Sequence, residues 1–147
     1  MSKSDYLENG LLNLIFNGAS IPGIADNAAA GPITTFYWAL HTADPAEMGM
    51  QSTNEASFGG YTRLPVSRDT LGMSAADAGS VFLVNSLTWP VATSPDLSRP
   101  QILTHFSIGI AETGAEHILY TGTLDPSISV SAGKQVVLTT GSYVIED

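Results

Sequence analysis

The chain has 147 residues and no cysteine, so it suits one domain with a core of its own and has neither a disulfide framework nor a thiolate metal site. Its formal net charge is −9, and its five basic residues (Lys3, Arg63, Arg68, Arg99 and Lys134) are scattered. That pattern excludes the clustered phosphate neutralisation that nucleic-acid binding needs, and it disfavours an anionic membrane surface. Charged residues are 13% of the chain, against about 25% in an average soluble domain. The replacement by Ser, Thr, Gly, Ala and Asn leaves a surface that costs less to desolvate, which suits large permanent contacts.

The first element is a helix. Ser4 or Asp5 can cap it, Asp5 and Glu8 have capping-box spacing, and both acids favour the positive end of the helix dipole. Leu7, Leu11, Leu14 and Ile15 recur on one face, and Asn17-Gly18 supplies the stop. Gly10 weakens the middle, so the helix needs a docking surface, either its own sheet or a neighbouring subunit. The organisation expected is a helix or arm over 1–18 and a single β domain over 19–147, with Leu7, Leu11 and Ile15 as candidate partner-facing residues. The acidic start lacks the basic and apolar regions of a secretory signal, and no apolar run reaches membrane-spanning length.

Residues 18–32, rich in Gly, Ala, Pro and Asn, read as loop. Ile33 to Thr42 alternates as a strand, with Phe36, Trp38 and Leu40 on one face. Residues 43–59 form a long loop holding Met48 and Met50, and methionine suits adaptable interfaces, so this loop is a candidate partner-facing arm. Tyr61 to Arg68 is a strand whose Pro65 pushes it to a sheet edge or a bulge. Short strands follow at Val81 to Val84 and Leu87 to Val91. Gln101 to Ala111 is the clearest strand, with Ile102, Phe106, Ile108 and Ile110 sharing a face. A turn at Gly114 leads to a strand over His117 to Leu124, and Ser127 to Val130 is expected to pair with Gln135 to Thr140. Ser142 to Ile145 ends the series. About eight strands at this spacing, with no βαβ alternation and no fixed repeat, predict a mainly β sandwich or barrel with one N-terminal helix.

The search for chemistry finds little. The histidines are His41, His105 and His117, with no His-X-His pair, and only convergence of His41 with His105 would make a metal site. No Gly-X-Ser-X-Gly elbow, phosphate-cradling loop or calcium loop is present, and the carboxylate spacing shows no acid pair for sugar cleavage. Trp38, Trp89, Tyr37, Tyr61 and Tyr143 could stack on a glycan, but aromatics in alternating strands more often pack a core or anchor an interface, and Trp89 joins the candidate interface residues on that ground. No catalytic residue, metal or cofactor is expected.

Several stretches resemble a family of small tailed-phage proteins in the family's order. They are residues 1–18 (MSKSDYLENGLLNLIFNG), Tyr37 to Pro45 (YWALHTADP), Gly60 to Arg63 (GYTR), Thr104 to Gly109 (THFSIG) and Leu119 to Leu124 (LYTGTL), with the weakest likeness over 70–100. Such proteins are often labelled tail fibre proteins, and others of similar size resemble capsid cement, or decoration, proteins. The resemblance implies a jelly-roll-like β-sandwich in a non-enzymatic virion component made in the bacterial cytoplasm. The leading expectation is a capsid cement protein on the outer capsid surface. Its partners would be the major capsid protein and further copies of itself in a homodimer or homotrimer, with no nucleic acid, membrane or small-molecule substrate. The alternative is a tail or tail-fibre-associated protein involved in host attachment.

Overall fold

The computed structural model describes residues 5–21, 33–46 and 49–145. One helix, α1 (Asp5–Asn17), precedes eight strands: β1 (Thr35–His41), β2 (Leu64–Ser67), β3 (Ser80–Phe82), β4 (Leu87–Thr88), β5 (Gln101–Gly109), β6 (Ile118–Val130), β7 (Val137–Leu138) and β8 (Tyr143–Ile145). They form a four-stranded sheet of order β2-β1-β5-β6 and two ribbons, β3-β8 and β4-β7. The mainly β class with a single N-terminal helix is as the alternation and turn spacing led us to expect.

The pairing differs from expectation at one place. Ser127 to Val130 does not form a hairpin with the segment after Gly133. It continues β6, whose Ile128 to Val130 lie opposite Leu103 to Gln101, while β7 pairs with β4. The alternation in this stretch is interrupted where the ladder slips, between Leu103 and His105 on β5 and between Ile128 and Thr123 on β6. A bulge reads locally as a strand end, which is why one strand looked like two. Pro65 sits on β2, an outer strand of the sheet, as a residue without a ladder donor must.

The chain packs as two compact units. The first comprises residues 1–35, 66–86 and 138–147. Its described core holds Leu12, Phe16, Ile21, Val66, Met73, Val81, Leu83 and Val144. α1 docks here on its own chain, against β3. Its buried stripe runs through Leu12 and Phe16, whereas Leu11 and Ile15 are only half-buried. Asn9, Asn13 and Asn17 recur every fourth residue on the helix. The Asn9 carboxamide oxygen accepts from Gly79 N (2.8 Å), that of Asn13 accepts from Ala76 N (2.9 Å), and Asn17 Nδ2 donates to Ser74 O (3.2 Å). The helix stops at Gly18 (φ 66°), with Ala19 N just beyond it donating back to Asn13 O. The Arg68 guanidinium donates to the terminal carbonyls of Leu14 and Ile15, doing from outside what no basic residue of the last turn does.

The second unit comprises residues 36–65 and 87–137. β5 lies antiparallel between β1 and β6, with Trp38 opposite Ile108, Leu40 opposite Phe106, and Phe106 opposite Gly122. The Trp38 and Phe106 rings stack at 5.3 Å. A Cβ on Gly122 would come within 2.5 Å of the Phe106 ring, so glycine is what lets the ring lie flat over β6. Phe36, Trp38, Leu40, Trp89, Leu103, Ile108 and Val130 form the centre of this core. The β5–β6 turn passes through Gly114 at φ 85°, as the hairpin reading expects.

Candidate functional site

The second unit concentrates its polar side chains at one end of the β1–β5 pair, where the 50–55 turn meets the 110–117 loop. Arg63 is the centre. Its side chain is 3% exposed and that of Glu55 17%, and they make a forked pair: Nε donates to Oε1 at 2.7 Å and Nη2 to Oε2 at 2.8 Å. The remaining donors reach across the hairpin loop, Nη1 to Ala111 O (3.0 Å) and Nη2 to Gly114 O (2.7 Å). The bonds to Glu55 hold the guanidinium still more firmly protonated than usual. The Tyr61 hydroxyl donates to Glu55 Oε1 (3.0 Å) and accepts from Leu40 N (3.1 Å), and burial pushes its pKa well up.

His41 and Ser107 sit beside this pair and are wholly buried. His41 Nδ1 lies 2.8 Å from Thr53 O, and Nε2 lies 2.7 Å from Ser107 Oγ. A carbonyl only accepts, so Nδ1 carries the proton and Nε2 accepts from the Ser107 hydroxyl. Desolvation by burial lowers the His41 pKa, which keeps the ring neutral. A serine and an imidazole at this distance have the geometry of a nucleophile and its base, but neither atom is open to a substrate. Gln51 completes the end. It is fully buried, its Oε1 accepts from Ala111 N (3.0 Å), its backbone N donates to Glu116 O (2.8 Å), and its Nε2 has no partner. Its amide packs on Gly109, where a Cβ would overlap Gln51 Cδ at 2.1 Å.

An open cleft of about 260 Å³ lies over this network, lined by Glu55, Ala56, Tyr61, Thr62, Arg63, Glu112, Thr113 and Gly114. Two of its charged groups are already spent on each other: the Arg63 fork is turned to Glu55 and two carbonyls. The described residues include no cluster of three or more His, Asp or Glu side chains that could hold a metal ion. His41 and His105 are opposite each other on β1 and β5, yet they do not converge, since both His41 nitrogens are engaged and His105 Nδ1 lies 2.8 Å from Thr104 Oγ1. No described helix is long and apolar enough to cross a membrane.

The candidate interface residues are divided between the two units. Leu11 and Ile15 are half-buried on α1 in the first unit, and Leu7 lies in the first half of that helix. Met48 lies outside the described residues. Met50 is 43% exposed and pairs across to His117. Trp89 is corrected from an interface anchor to a core residue: it is fully buried, its N donates to Val136 O, and Gln135 Nε2 donates to its carbonyl. Trp38 is likewise interior, so neither tryptophan can stack on a glycan. The loop expected to be a partner-facing arm is, over its described part from Met50 to Phe58, tied into the body through Gln51, Glu55, Ala56 and Phe58. The sequence reading passed over Arg63, Glu55 and Gln51. The usable signal was Arg63 itself, one of five cations, in a strand-leading position where solvation alone would not require it.

Three of the five stretches that carry the phage resemblance meet in this network. His41 belongs to Tyr37–Pro45, Tyr61 and Arg63 to Gly60–Arg63, and Ser107 and Gly109 to Thr104–Gly109. Over residues 2–146 the chain matches the family described as Podophage GP4 fiber I protein gp80, and it belongs to that family of phage virion structural proteins. No match is found among curated proteins.

Proposed function

We propose that this chain is a fibre-associated structural component of a podophage tail that acts by binding other virion proteins and carries out no catalysis. The family match over residues 2–146 carries the reading, because that family is named for a fiber. It favours the tail-side alternative over the capsid-surface role that led the sequence expectations, and the major capsid protein is accordingly not the partner we propose. The fold is compatible with the role: the best-formed polar cluster is used to hold loops 50–55 and 110–117 in place, which gives a binding surface a fixed shape. Sparse charge lowers the cost of desolvating that surface.

The test is localisation on the intact particle. Heads and tails are separated and the chain is quantified by mass spectrometry against the major capsid and tail proteins. Recovery with the tail, at the stoichiometry of other tail components, is the expected result. Recovery with the head at a copy number comparable to the major capsid protein would restore the cement reading.

A further inference from the structure

We draw no further inference here: the strongest candidate, the open cleft over the Arg63–Glu55 pair that Glu112 and Thr113 help to line, belongs to the site already described, and nothing in the structure shows what would occupy it.

Discussion

Replacing Arg63 by alanine should destabilise the second unit more than any other single polar substitution in the chain. The guanidinium makes two bonds to the Glu55 carboxylate and two to the carbonyls of Ala111 and Gly114. At about 1.5–3 kcal/mol for each charged hydrogen bond, simple addition would give roughly 6–12 kcal/mol. That sum is too large, because Glu55 lines an open cleft and a freed carboxylate can recover water there. The cost of stripping one partner from a largely buried pair, about 3–5 kcal/mol, is the better figure. It corresponds to a fall in Tm of roughly 10 °C in a chain of this length. Urea unfolding followed by tryptophan fluorescence reads it directly, since both tryptophans lie in this unit. The pair Arg63→Met with Glu55→Met separates the two components of the loss. It leaves two carbonyls short of a donor and the Tyr61 hydroxyl short of an acceptor but no lone buried charge, so it should be less damaging than Arg63→Ala. A loss below about 1 kcal/mol for Arg63→Ala, or a double variant worse than the single, would refute the account of Arg63 as the tie between the turn and the hairpin loop.

Three further outcomes follow from the same geometry. Burial holds the His41 pKa below the ordinary imidazole value of about 6.5, so below that pH the unfolded chain binds a proton the folded chain does not, and stability should fall as pH drops from about 6.5 towards the folded value; His41→Gln should flatten that slope in denaturation curves across pH. Gly109→Ala drives a methyl into the Gln51 amide, and overpacking of this kind costs about 1–3 kcal/mol; an unchanged urea midpoint would mean that Gln51 is free to move. Asn13→Ala removes the acceptor of Ala76 N and should cost about 1–2 kcal/mol, with faster amide exchange over residues 74–79 and no change in β5.

The architecture was legible where period and turn chemistry agree. β1, β5 and the Gly114 turn follow from alternation and a glycine between two apolar runs, and α1 from its caps and its stop. The face of α1 was harder. Leu7, Leu11, Leu14 and Ile15 mark an apolar stripe, but the helix turns Leu12 and Phe16 fully inward, because the loop at 74–79 claims Asn9, Asn13 and Asn17 and so fixes the rotation. That constraint is tertiary, although an asparagine at every fourth position is visible in the sequence. The second ambiguity was Trp89: aromatic residues serve cores and interfaces alike, and only a partner such as Val136, 47 positions away in the chain, decides. The Arg63 network was illegible for the same reason. Its members come from three separated stretches, and nothing in their local spacing says that they meet.

The same network leaves its own polar groups little capacity to spare. An active site leaves its reactive atoms uncompensated until a substrate arrives. Three groups of the network are satisfied inside the fold: the His41 ring by Thr53 and Ser107, the Arg63 fork by Glu55 and two carbonyls, and the Tyr61 hydroxyl by Glu55 and Leu40. These bonds hold loops 50–55 and 110–117 in a fixed shape.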